Sequence, residues 1–282
     1  MIGWQAIVAS GGFLCGSLIQ GLIVLNNPKY VPKPWQLVLI FWAAIIFAIF
    51  INTVVSHILP KIEGFILIMH CLGFFAILIP LLYYAPHNDA SEIFTSFSNG
   101  GNWQTQGLSF MVGLVGPVFA MLGADSAVHM SEEIKNPAKN VPRAMVFSLL
   151  LNGSLGFGML LAVLFSLGDL DTVLATPTGY PFMAIFEESV GSIPGSLTMA
   201  ALPTILNIAA TIGFVTTASR MTWSFARDHG TPGWQILSKV DPRSSLLLAS
   251  IAFTTTVRST VYPRVLEERM DMALTLREEV WE

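Results

Sequence analysis

The chain has 282 residues, of which 53% are hydrophobic and only 11% charged. A water-facing surface needs roughly a quarter charged residues, so a soluble globular domain is excluded. Fourteen Lys and Arg against eighteen Asp and Glu leave a net charge of −4, which offers no basic field to nucleic acid.

Several uncharged runs exceed the roughly 20 residues that cross a hydrocarbon core, and mean hydropathy is +0.65. The composition therefore predicts an all-α polytopic protein of the lipid bilayer. Residues 1–25 carry no charge and place small side chains at Gly12, Gly16 and Gly21. Glycines at this spacing let membrane helices approach closely. The stretch lacks the basic start and small-residue cleavage site of a secretory signal. Asn26-Asn27-Pro28-Lys29 ends this first span, and Trp35 suits an interface before the second, 36–56. Lys61 and Glu63 mark the boundary of the third, 64–85, which holds Pro80 near its far end. Cys15 and Cys71 fall inside apolar runs, where a packed thiol is expected rather than a disulfide or a metal ligand.

After a polar loop at 86–105, residues 106–130 form an interrupted fourth span. Pro117 removes a backbone donor and Gly123 loosens the helix, while Asp125 sets a carboxyl inside an apolar run. An acid there needs a cavity, a partner or a proton. The helical ladder is expected to fail between about Gly116 and Ser126, with Asp125 facing the interior of the bundle. A charged connector follows, in which Lys135, Lys139 and Arg143 read as cytoplasmic anchors. The fifth span, 144–168, is rich in glycine. Within the acidic loop 169–193, Tyr180 to Val190 predicts a short helix lying on the membrane surface. The sixth span, 194–219, carries Asn207 and Thr211 on one face.

The loop Arg220 to Ser244 is basic, and a seventh apolar run, 245–257, stops at Arg258, too short to span. The last 25 residues hold four Arg and six Asp or Glu. So abrupt a change predicts a tail, 258–282, diverted from the membrane domain at 1–257.

Gly123-Ala124-Asp125-Ser126-Ala127-Val128-His129-Met130-Ser131-Glu132-Glu133-Ile134-Lys135-Asn136-Pro137 and Val141-Pro142-Arg143-Ala144-Met145 closely resemble the fungal choline and GABA permeases. These belong to the amino acid/choline transporter family of the amino acid–polyamine–organocation superfamily. Pro60 to Gly64, Thr105 to Phe110 and Ser219 to Asp228 resemble the same family. The resemblance implies a partial inverted-repeat, LeuT-like fold of six full spans and a truncated seventh. It also implies that residues 1–25 stand at the family's third helix and the broken span at its sixth. On that reading the chain is a fragment, without the first two helices or anything past the start of the ninth. The function implied is secondary active transport of choline, GABA or an amino acid, coupled to protons across the plasma membrane. The alternative is a non-transporting remnant, or an interaction partner of a full-length permease.

Substrate contacts are expected at Phe119, Gly123, Ala124, Asp125 and Ser126. Asp125 is a candidate to hold a substrate ammonium or the coupled proton; as a structural residue it would cap the helix resuming after Gly123. The resemblance places an aromatic gate at Phe119, and an aromatic face also attracts quaternary ammonium. His129, four residues on, shares the face of Asp125 and is a second proton-coupling candidate, with Glu132 and Glu133 one turn beyond. Asn207 and Thr211 line the pathway or hydrogen-bond between helices. No phosphate loop, metal cluster or nucleophile triad occurs, so an enzyme, a metal and a cofactor are not expected.

Lys and Arg counted across alternating loops place Lys61, Lys135, Lys139, Arg143, Arg220, Arg227, Lys239 and Arg243 on one side, and Lys29 and Lys33 on the other. The richer side is cytoplasmic, and so is the Met1 end. An impermeant thiol reagent added outside should therefore label Asn88→Cys and spare Asn136→Cys; the reverse pattern contradicts this orientation.

Overall fold

The computed structural model describes residues 2–97, 99–121, 123–239 and 250, and all regular structure among them is helical. The first apolar run forms α1 (Ile2–Asn26) and the second α2 (Pro34–Val54), which opens on proline, where its missing N–H is harmless. A 3₁₀ turn at Ser56–Ile58 leads into α3 (Leu59–Tyr84). In the following loop, α4 (Ala90–Thr95) begins beside Asp89. The Ser91 N–H, at 2.8 Å, and its hydroxyl, at 2.9 Å, hold the Asp89 carboxyl below its ordinary range.

The interrupted span comprises α5 (Gln106–Gly113), α6 (Val115–Ala120) and α7 (Ser126–His129). Thr105 caps α5 by accepting the Leu108 N–H at 3.1 Å. Then come α8 (Pro137–Phe165), α9 (Leu170–Leu174), α10 (Pro181–Val190), α11 (Ile193–Arg227) and α12 (Trp234–Leu237). Among the described residues, α1, α2, α3, α8 and α11 are long and apolar enough to cross a membrane. Six expected spans are thus five continuous helices and one broken one. The truncated seventh run and the 258–282 tail lie outside the described residues, Ser250 excepted.

Helix ends differ from the apolar-run ends in three places. α3 starts before Lys61 and Glu63, and α8 before Arg143, because a helix continues past the hydrocarbon wherever its ladder is unbroken. The loop expected from Arg220 begins instead after Arg227. Val215, Ala218, Thr222 and Ala226 are all fully buried at helical spacing, so packing carries α11 onward. Arg227 in its last turn also suits the partial negative charge of a helix C-terminus.

The chain divides into two compact units. The first comprises Met1–Ile19, Pro32–Gly64 and Ile205–Glu282. Its core joins Trp4 and Val8 of α1, Phe41, Ile45 and Ala48 of α2, and Ile212, Val215 and Ala218 of α11. Gly12 faces α2 so closely that a Cβ there would lie 2.9 Å from Phe41 and Ile45, and one on Gly16 would lie 2.8 Å from Leu37. Gly11 meets Phe214 of α11 as tightly, at 2.9 Å. The small residues expected to let helices close are the points of closest approach.

The second unit is Gln20–Val31 with Phe65–Thr204. Here the Asn88 N–H donates to the Phe165 carbonyl at 2.8 Å, and Phe94 meets Phe165 edge-on, which ties the polar loop to the end of α8. The helix expected at Tyr180 to Val190 forms as α10. Its apolar side is used within the protein: Met183, Ile185 and Phe186 are buried, and Gly21 of α1 lies against Met183.

Because α1 and α2 close around Gly12, Gly12→Leu should destabilise the purified protein by about 1–3 kcal/mol through overpacking. Gly64→Ala, inside α3 with open space around it, should keep or slightly raise the melting temperature. Equal melting of the two variants contradicts the α1–α2 contact.

Candidate functional site

The interruption expected in the fourth span is present. α6 ends at Ala120, and turns replace the α-helical ladder before α7 opens at Ser126. Gly123 takes φ +98°, a conformation that a side chain strains, which explains why glycine stands at the break. Its carbonyl accepts the Ser126 N–H at 3.0 Å, and the Asp125 carbonyl accepts the Val128 N–H at 2.9 Å. Ala124 and Ser126 are half-buried beside it, and Phe119 lies in α6, four residues before Gly123.

Asp125 precedes α7 but does not cap it. Its backbone is already helical at φ −76°, ψ −9°, and its carboxylate accepts no capping N–H. The carboxylate instead reaches one turn forward, placing Oδ2 3.4 Å from Nε2 of His129. The i, i+4 spacing makes this contact possible only because the helix resumes between the two residues. The side chains differ in accessibility: His129 is 23% exposed and Asp125 57%. Asp125 is therefore accessible rather than enclosed by the described residues. Glu132 and Glu133 follow in a 3₁₀ turn at Ser131–Glu133. Asn136, in a left-handed conformation that Asn tolerates, reverses the chain into α8.

Asn207 and Thr211 belong to the other unit and meet α1. The Asn207 amide donates to the Gly11 carbonyl at 3.3 Å and to Cys15 Sγ at 3.1 Å. The Thr211 hydroxyl lies 3.4 Å from Cys15 Sγ and donates to the Asn207 carbonyl at 2.9 Å. This is interhelical hydrogen bonding, and it gives the buried Cys15 two polar neighbours. Two further polar links had no place in the sequence reading. Asn52 of α2 donates to the Ile212 carbonyl at 3.1 Å and accepts the Thr216 hydroxyl of α11. Gln5 of α1 donates to the Thr222 hydroxyl at 3.0 Å. An amide inside an uncharged apolar run was the available signal at both positions.

Among the described residues, five helices long and apolar enough to cross a membrane, and one discontinuous span with an acid at its break, define a polytopic membrane protein. The family model described as Amino acid permease matches residues 1–262, and the chain belongs to that family. It is 32% identical to the "Putative amino acid/polyamine transporter" of Macrophomina phaseolina, over 92% of this chain and 57% of that protein. It is 31% identical to the choline transporter of Saccharomyces cerevisiae, over 82% of this chain and 41% of that one. A swainsonine transporter of Arthroderma benhamiae is 28% identical, over 86% and 48%. These relatives are transporters, not enzymes, and the chain spans about half of their length.

The geometry at the break separates two roles by stability. Gly123→Ala should destabilise by about 1–2 kcal/mol, the cost of a strained positive φ. Asp125→Ala should stay within about 0.5 kcal/mol, as for a residue with no cap to lose. Thermal melts followed by circular dichroism decide it: a loss near 1 kcal/mol at Asp125, typical of a lost cap, contradicts this account.

Proposed function

We propose that the chain supplies the substrate-contacting span of a secondary active carrier for small ammonium-bearing solutes, choline, GABA or amino acids, with the proton as coupled ion. The carrier sits in the plasma membrane with the Met1 end of this chain inside. One observation carries the reading: the Asp125–His129 pair stands where the span is broken. The printed functions of the relatives, choline transport among them, support the cargo class. In this reading Phe119, Gly123, Ala124 and Ser126 contact the cargo, while Asn207 and Thr211 hold α1 and α11 together.

Asp125 offers the negative charge an ammonium needs. At about 4 Å and an effective dielectric near 20 that attraction is roughly 4 kcal/mol before desolvation. Protonation of the carboxylate abolishes it, and His129 lies within reach to deliver or receive that proton. Glu132 lies beyond it, toward the connector.

Uptake of labelled choline, GABA and amino acids by transporter-null cells expressing the chain tests the proposal. In a completed, full-length version of the protein, Asp125→Asn keeps the shape but loses the charge, so apparent affinity should fall by roughly one to two decades, at about 1.4 kcal/mol per decade. Weaker affinity with an unchanged pH profile assigns Asp125 to the ammonium. Lost uptake with a flattened profile and normal surface delivery assigns it to the proton. Normal affinity, rate and pH dependence in Asp125→Asn removes Asp125 from the site. Absence of uptake by the wild-type chain overturns the carrier reading and leaves a non-transporting membrane partner of a full-length permease.

A further inference from the structure

α11 ends in a turn that ordinarily takes glycine and here holds a histidine. The Gly230 N–H donates to the Phe225 carbonyl at 2.8 Å, and the His229 N–H to the Ala226 carbonyl at 3.0 Å. These two bonds form a Schellman turn, which satisfies the last carbonyls of a helix and needs one residue in the left-handed region. His229 is that residue, at φ +61°. Glycine takes this conformation freely, while a side chain is strained in it.

The imidazole has a partner that offsets the strain. It stacks on Trp234, the first residue of α12, with ring centroids 3.8 Å apart and the planes 35° from parallel. α12 is also held without that stack. The Trp223 indole N–H donates to the Ser238 carbonyl at 3.0 Å, and the Ser250 hydroxyl to the Leu237 carbonyl at 2.9 Å. Trp234 is thereby kept where the imidazole meets it.

Both surroundings of His229 favour a cation. The last carbonyls of α11 carry partial negative charge, and an indole face attracts a positive ring within about 6 Å. The other charged groups of this turn and of α12 are Arg227, Asp228 and Lys239. The Arg227 guanidinium lies over the Trp223 ring at 4.7 Å. Among the described residues no carboxylate is in ion-pair contact with His229. Asp241 and Arg243 come next in the sequence, outside the described residues.

We propose that His229 and Trp234 form a pH-sensitive clasp, which fastens the turn after α11 when the imidazole is protonated. The neutral ring keeps the stack but loses both charge interactions. The clasp therefore holds at acid pH and slackens as pH rises through the histidine range. Its side of the membrane rests on the carrier reading: with the Met1 end inside, this turn faces the compartment that receives the coupled proton. The clasp itself stands apart from that reading, and its test involves no transport.

Amide hydrogen exchange of the whole chain in lipid nanodiscs, at about pH 5 and about pH 8, tests it. Rates are corrected for intrinsic exchange at each pH, and the Gly230 amide reports the turn. In the wild-type chain Gly230 should be roughly three- to tenfold better protected at the lower pH, the range for a cation at a helix end and a ring face. His229→Gly supplies the residue the turn prefers, so it should fold and show equal protection at both pH values. Trp234→Leu leaves the imidazole at the helix end and should keep only part of the response. Circular dichroism checks that each variant is folded. If either does not fold, His229→Asn decides in its place, since Asn tolerates the left-handed turn and does not titrate. A flat response in it supports the clasp, and a wild-type response overturns it. Equal wild-type protection at both pH values, or an undiminished response in His229→Gly or Trp234→Leu, also overturns the proposal and leaves His229 a structural cap.

Discussion

A bilayer donates and accepts no hydrogen bonds, so every polar group inside a span must find its partner in the protein. α11 shows how the chain meets that constraint. The hydroxyls of Thr204, Thr211, Thr217 and Thr222 each donate to the carbonyl four residues back, at 2.7–3.0 Å. A hydroxyl can be satisfied this way within one helix. A carboxamide has two N–H groups and a carbonyl to place, and Asn52 and Asn207 reach across to neighbouring helices. Such links hold only where backbones are close, which is why Gly11 stands beside the Asn207 link. Polar anchoring and small-residue packing are one device.

The same constraint gives the broken span its meaning. Irregular backbone at membrane depth is tolerated only where protein or water meets it. Gly123 adopts a backbone angle suited to glycine, and the segment after it brings Asp125 and His129 together. An accessible carboxylate is costly against lipid, so the break and the acid imply a polar surrounding together. A capping role would have made Asp125 a local structural device, but its carboxylate turns away from the α7 amides and toward the imidazole.

Much of this was legible in the sequence because span length, glycine spacing and isolated acids are strong signals in an apolar chain. The run ends were read less well. Lys61, Arg143 and Arg220 mark where hydrocarbon should stop, not where a helix stops, and all three lie inside helices. Charge reports the solvent, while the ladder depends on breakers and on packing such as that of Thr222 and Ala226. The surface reading of α10 underweighted tertiary contact, since an amphipathic pattern does not say whether lipid or protein covers the apolar side. The Asn52–Thr216 and Gln5–Thr222 links went unread because hydrogen bonds between residues more than 160 positions apart leave no local pattern.

The central claim is that the span around Gly123 is discontinuous in the membrane. Amide hydrogen exchange of the chain in lipid nanodiscs tests it most directly, since exchange reports opening of the local ladder. The account predicts fast exchange at Ala124 and Asp125 with strong protection along the buried halves of α1 and α11. Protection at Ala124 and Asp125 equal to that of α1 would show a continuous helix and contradict the account.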